Sequence, residues 1–170
     1  MFSTRALRLL AVFLVLLSTA GCDQATKHFA RTGLAQWQSS PIAGGLIELT
    51  LAENPGTFLS LGASLPEPLR GTLLTFGIGI GLACLLIYLV RNPALRWSSF
   101  LALSLVWAGG TSNLLDRFSR NGLVTDFILL RLGPFHTGIF NLADMAIVAG
   151  IIILAASSFR PTKAQTSREQ

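Results

Sequence analysis

The chain has 170 residues, of which 51% are hydrophobic and only 12% charged, with a mean hydropathy of +0.60. A soluble domain of this length would carry about twice that charged fraction, so the composition reads as an integral membrane protein with several spans and no large extra domain. The net charge of +5 comes from basic residues that flank apolar runs without interleaved aromatics, which is a topology signal and not a nucleic-acid surface.

Residues 1–22 place Arg5 and Arg8 ahead of an apolar run ending Thr19-Ala20-Gly21-Cys22. This imitates a secretory signal, and its end imitates a lipoprotein cleavage site. One reading is a retained first transmembrane helix over 6–22. The other is removal of the leader at Cys22, leaving a lipid-anchored chain with no enzymatic role. Three further apolar segments favour the first.

Residues 23–70 form the longest polar interval and are read as a small sheet-like platform at the membrane surface. Within it Ile47, Leu49 and Leu51 alternate with Glu48, Thr50 and Ala52, the pattern of a half-buried strand. Gly44-Gly45 offers a hairpin turn into that strand, and Asn54-Pro55-Gly56 ends it. Residues 71–90 contain no charge and are long enough to cross the hydrocarbon. Their Gly77–Gly81 step reads as a helix-packing surface and not as a nucleotide loop. Arg91-Asn92-Pro93 breaks this helix. A third span covers 97–115 and a fourth 138–156, and the polar tail 161–170 reads as disordered.

The expected fold is therefore all-α and membrane-integral, a single polytopic unit over 1–160. It has four transmembrane helices and a β-rich platform between the first two. Seven basic residues (Arg5, Arg8, Arg91, Arg96, Arg160, Lys163 and Arg168) fall on the side of both termini. The other six (Lys27, Arg31, Arg70, Arg117, Arg120 and Arg131) are spread over two much longer loops, so the short-loop rule puts both termini inside the cell.

Two carboxylates then stand out. Asp126 interrupts the apolar run 124–130, and Asp144 sits at the entrance of the fourth span. An Asp at the centre of a spanning helix costs about 2.5 kcal/mol or more. Asn113, Asp116 and Arg117 stand at i, i+3 and i+4, and Asn141 and Asp144 at i and i+3, so two helices each present an Asn and an Asp at one outer level. Asp116 with Arg117 also fits a structural ion pair or helix-end anchor, and Asp144 a helix cap. Two carboxylates held close share one proton: the ionised member can activate a water, and the protonated member can hydrogen-bond a peptide carbonyl. That chemistry uses neither metal nor cofactor. Other hydrolase designs fit poorly, since the chain lacks HExxH and GxSxG, and its two histidines, His28 and His136, are isolated. The alternative is a small proton-coupled carrier, which would require acids near mid-span.

Five elements stand in the order found in the lipoprotein signal peptidase (signal peptidase II) family. They are DQATK at 23–27, Asn-x-Gly-x-Phe at 54–58, GGTSNLLDR at 109–117, VTDF at 124–127 and FNLAD at 140–144. The chain resembles that family from the first span to the fourth. The resemblance implies an inner-membrane aspartic endopeptidase without cofactor or metal, with its site facing the periplasm and both termini in the cytoplasm. Its substrates would be prolipoproteins, cut on the N-terminal side of a cysteine already carrying diacylglycerol. Membrane lipid would be a partner, and the cyclic peptide antibiotic globomycin an inhibitor. By motif, the resemblance implies Asp126 and Asp144 as the catalytic dyad. Asp23, Asn54, Asn113, Arg117 and Asn141 would shape the site or bind substrate, and Asp116 would support them. One departure is that the family element usually reads Asn-x-Gly-Ala-Ala-Phe-Ser. Here Asn54-Pro55-Gly56-Thr57-Phe58-Leu59-Ser60 is one residue shorter before the aromatic, and Pro55 removes a backbone donor. The Thr137-Gly138-Ile139 run before Phe140 is a second departure from the commonest form.

Overall fold

In the computed structural model, which describes residues 4–34, 39–56 and 64–159, polar side chains dominate the inside. Leu10, Phe13 and Leu17 of α1 (Thr4–Gly33) and Ile151 and Ile152 of α5 (Leu142–Ser158) are exposed, whereas Asp23, Lys27, Asp116 and Asn141 are buried. This inverts the distribution of a water-soluble domain and suits a hydrocarbon surround.

Helix α1, 30 residues long, is apolar enough to cross a membrane. It does not stop near residue 22. It runs unbroken through Cys22 and the Asp23–Lys27 stretch to Gly33, so the start of the expected platform is helical. The reason is tertiary. Asp23 and Lys27 stand one turn apart, pair with each other and reach partners on α4 (Trp97–Ser119), so their polarity is satisfied inside the protein and needs no surface loop.

The second helix long and apolar enough to cross is Leu69–Arg91. It joins α2 (Glu67–Gly71), a π-helical segment (Thr72–Gly77) and α3 (Ile78–Arg91). Its Gly77 and Gly81 meet no neighbour within 4 Å, whereas Gly79 faces Leu114 of α4 at 3.6 Å. Two residues turn an α-helix by about 200°, so seating Gly79 against α4 turns the expected GxxxG packing face outward. Close helix contact occurs elsewhere. β-Carbons built at Gly109 and Gly150 would lie 2.5 Å from the carbonyl oxygens of Ala143 and Ala102, respectively. These contacts set α4 and α5 antiparallel, and this is the most intimate helix pair in the fold.

Four antiparallel strands form one sheet in the order β1 (Ser40–Ile42), β2 (Ile47–Asn54), β3 (Val124–Leu132), β4 (Phe135–His136). The alternating stretch is β2, and the hairpin before it turns through Ala43, Gly44 and Gly45, all at positive φ. Half of the sheet comes from the segment between α4 and α5, which the expected platform did not include. Asp126 is thereby carried on a strand. Beside it the β2–β3 register shifts between Leu49↔Ile128 and Ala52↔Asp126, so that Thr50 and Leu51 oppose Phe127 alone. The 161–170 tail, and the Thr57–Ser60 part of the element after Asn54, lie outside the described residues.

Candidate active site

Two turns of chain deliver the carboxylates. After α4, Asn121 (φ 55°) and Gly122 (φ 87°) reverse the backbone, and the Gly122 N–H donates to the Arg117 carbonyl at 2.9 Å. The chain then enters β3, which places Asp126 on the sheet side of the site. On the other side, Asn141 is extended (φ −132°, ψ 179°) and caps α5. Its side-chain oxygen accepts the Asp144 N–H at 2.9 Å, and Asp144 accepts the Asn141 N–H at 3.3 Å, a reciprocal capping box. The i, i+3 spacing thus has a structural role, and that role aims Asp144 back toward the sheet.

Asn141 also joins the two acids. With its oxygen committed to the cap, its Nδ2 donates to Asp126 Oδ1 at 2.6 Å, while its backbone N–H donates to Asp144. Asn54, at the end of β2, donates to Asp126 Oδ2 at 2.8 Å. Asn113 of α4 donates to Asp144 Oδ1 at 2.9 Å. Every carboxylate oxygen of the pair therefore accepts a hydrogen bond, and the acids are 1% and 4% exposed. Burial pushes Asp126 up to about 7; the Asn54 hydrogen bond opposes the rise, the Asp144 charge adds to it, and Asn141 and Lys27 oppose it.

Beneath the pair lies a buried ionic layer centred on Lys27, which the sequence reading left out of the site. Lys27 has no exposed surface, and its Nζ contacts Asp23 at 2.7 Å, Asp116 at 2.9 Å and Asn113 Oδ1 at 2.8 Å. The third contact fixes the Asn113 amide, because an oxygen turned to Lys27 leaves Nδ2 for Asp144. Asp23 also accepts from Ser112 Oγ at 2.7 Å and from the Ala143 N–H at 2.8 Å, which ties α1 to the first turn of α5. Asp116 takes Gln24 Nε2 at 2.9 Å and the Thr125 N–H at 3.2 Å.

Of the two structural readings of Asp116 with Arg117, an ion pair or a helix-end anchor, the ion pair is not formed between them. Asp116 turns to Lys27, while Arg117 donates to the Gly56 carbonyl at 2.7 Å and the Asn113 carbonyl at 3.2 Å. Adjacent residues on a helix point about 100° apart, so the two cannot both face one partner. Arg117 instead holds the turn after β2. In that turn Asn54 Oδ1 accepts the Gly56 N–H at 2.8 Å. The donor is Gly56, so Pro55 takes nothing from this turn. All eight residues singled out in the sequence thus converge on one place, with Lys27, Gln24, Ser112 and Thr125 added. The available signal for Lys27 was its i, i+4 spacing from Asp23 directly after an apolar span.

Beside Asp144, an apolar groove of about 340 Å³ runs along the outside of α5 between Leu130, Phe140, Met145, Val148 and Ile152. It connects the acid to the exposed apolar flank of α5. His28 and His136 stand away from these acids, on α1 beside Phe29 and on β4.

Residues 14–160 match the family model described as Signal peptidase (SPase) II. The chain is 32% identical over 154 residues to a lipoprotein signal peptidase of Syntrophus aciditrophicus (strain SB), covering 88% of this chain and 95% of that protein. It is 37% identical over 152 residues to a lipoprotein signal peptidase of Moorella thermoacetica, covering 89% and 95%. Two solved structures described as bacterial membrane enzymes share the fold. Their TM-scores are 0.76 and 0.75 at 23% and 24% identity, covering 94% and 89% of this chain and 91% and 94% of theirs.

Proposed function

This chain belongs to the signal peptidase II family of membrane-embedded peptidases, and we propose that it removes signal peptides from diacylglyceryl-modified prolipoproteins by an aspartic mechanism. The cut falls on the N-terminal side of the lipidated cysteine. Asp126 and Asp144 form the dyad. The observation that carries this reading is Asn141, whose side-chain amide and backbone amide hold one carboxylate each. In this reading Asp126, whose protonated form is favoured by burial, serves as the acid and Asp144 as the base.

The chemistry balances without a covalent intermediate. Asp144 takes a proton from a water as the water oxygen bonds to the scissile carbonyl carbon. Asp126 gives its proton to the carbonyl oxygen, forming a neutral gem-diol. On collapse the C–N bond breaks, Asp144 passes its proton to the leaving nitrogen, and a diol hydroxyl returns a proton to Asp126. Asn54, Asn113 and Asn141 fix the acids, and the Lys27 layer and Arg117 fix those amides. The apolar groove beside Asp144 accommodates substrate next to the lipid phase.

In this reading α1, Leu69–Arg91, α4 and α5 all span the inner membrane, the termini are cytoplasmic and the site meets the periplasm. Cyclic peptides of the globomycin type are its expected inhibitors.

Cleavage of a diacylglyceryl-modified precursor peptide by purified protein tests the dyad. Asp126→Asn and Asp144→Asn are each expected to lower the rate by roughly a hundredfold to ten-thousandfold, with circular dichroism unchanged. A folded variant of either acid that keeps wild-type turnover would overturn the assignment.

A further inference from the structure

At the far end of the helices from the carboxylates lies a second cleft, of about 550 Å³. Arg5 and Arg8 of α1 and Arg91 at the end of α3 surround it, and Val12, Leu89 and Phe100 form its floor. Arg8 is only 7% exposed. It donates to the carbonyls of Asn92 at 2.8 Å and Leu95 at 2.6 Å, and it lies over the rings of Trp97 and Phe100 at 5.4 and 5.0 Å. Its Nε is buried and has no hydrogen-bond partner among the described residues. Among the described residues none of the three arginines forms an ion pair either: the described carboxylate ion pairs are those of Asp23, Asp116, Glu53 and Glu48, all at the site end or on the sheet. Three like charges converging on an apolar floor, one of them nearly fully buried, are costly without a counter-charge.

We propose that this cleft binds the phosphate of an anionic phospholipid. Arg5 and Arg91, both exposed, clasp the phosphate by the planar, paired donor geometry that suits guanidinium to phosphate, and Arg8 supplies positive charge from beneath. The hydrocarbon chain lies along the apolar floor. A lipid fits better than a free anion because the floor is apolar and the flanking helix surface, including Leu10, Phe13 and Ile87, faces hydrocarbon. Basic recesses between spanning helices are suited to acidic headgroups. The site is separate from the peptidase dyad and does not depend on that assignment.

Native mass spectrometry of the full chain, delipidated in detergent and titrated with dioleoylphosphatidylglycerol, dioleoylphosphatidylcholine or inorganic phosphate, tests the proposal. The wild type is expected to retain phosphatidylglycerol in preference to phosphatidylcholine, with millimolar inorganic phosphate failing to displace it. The Arg5→Gln/Arg91→Gln variant keeps buried Arg8 and is expected to bind phosphatidylglycerol about twenty-five-fold more weakly, about fivefold for each arginine, with unchanged circular dichroism and peptidase activity. Equal retention of the two lipids, or unchanged phosphatidylglycerol binding in the variant, overturns the proposal. Displacement by inorganic phosphate overturns it in favour of a free-anion site.

Discussion

Lys27 carries a charge into a place with no exposed surface and meets two carboxylates and one amide oxygen there. Removing one partner of a buried ionic cluster leaves the others desolvated and unpaired, which costs about 3–5 kcal/mol. Lys27→Met is therefore expected to lower the melting temperature in detergent strongly, and adding Asp116→Asn is expected to recover part of the loss. A single variant melting with the wild type would show that the layer carries no such load. Asp126 presents the opposite problem, a carboxyl whose proton is favoured by burial. Its folded pKa, about 7, lies above the unfolded value, so the stability contributed by the protonated form is present at low pH and is lost as pH rises to about 7. The same proton serves the proposed chemistry. Activity is expected to fall about tenfold per pH unit above about 7, and Asn54→Ala, which removes a hydrogen bond that opposes the rise, is expected to move that limb to higher pH. A pH–rate profile flat to about pH 9 would contradict both.

Among the elements, the α4–α5 pair sets the geometry of the site, because Asn113 and Asp144 face each other across it. The pair closes at Gly109 and Gly150, where a methyl group would collide with the backbone of the neighbouring helix. Gly150→Ala is expected to destabilise the fold by about 1–3 kcal/mol. Gly109 faces Ala143, the residue beside Asp144, so Gly109→Ala is expected to cost about a hundredfold in turnover through sub-ångström displacement of the acid. Gly81→Ala, with open space around it, is expected to change stability by no more than about 0.5 kcal/mol. Thermal melts and turnover of the three variants separate these outcomes. Equal effects at all three glycines would refute the packing account.

For the whole molecule, the carboxylate network and the arginine cleft lie at opposite ends of the helices. Arg8 of α1 contacts the loop after α3 at one end, while Asp23 of α1 contacts α5 at the other. The fold therefore sets the carboxylates and the three-arginine cleft at opposite ends of the helices, and in the proposed topology the arginine cleft would be the cytoplasmic end, as the positive-inside rule asks. In a Cys22→Ser/Cys84→Ser background, a membrane-impermeant maleimide is expected to label Ser119→Cys from the periplasmic side of sealed vesicles and Arg96→Cys only from the cytoplasmic side. Labelling of both from one side would rule out the four-span arrangement.

The sequence by itself determined the membrane class, the hairpin and strand around Gly44–Asn54, and the set of acids and amides that meet at the site. The first two are written locally, in hydropathy and turn chemistry; the third comes partly from i, i+3 spacing and, for Asp23 and Asn54, from the family resemblance alone. The tertiary structure decided the length of α1, the glycines that pack, the strand that carries Asp126 and the partner of Asp116. These depend on which polar groups find counter-groups from distant segments, and a charge such as Lys27 reads as a loop residue until Asp23 and Asp116 are seen to surround it. Asn141 shows both levels at once. Its i, i+3 spacing from Asp144 is legible in the sequence, but its capping role, and its hold on both Asp126 and Asp144, exist only once α5 begins at Leu142 and β3 is laid against Phe140.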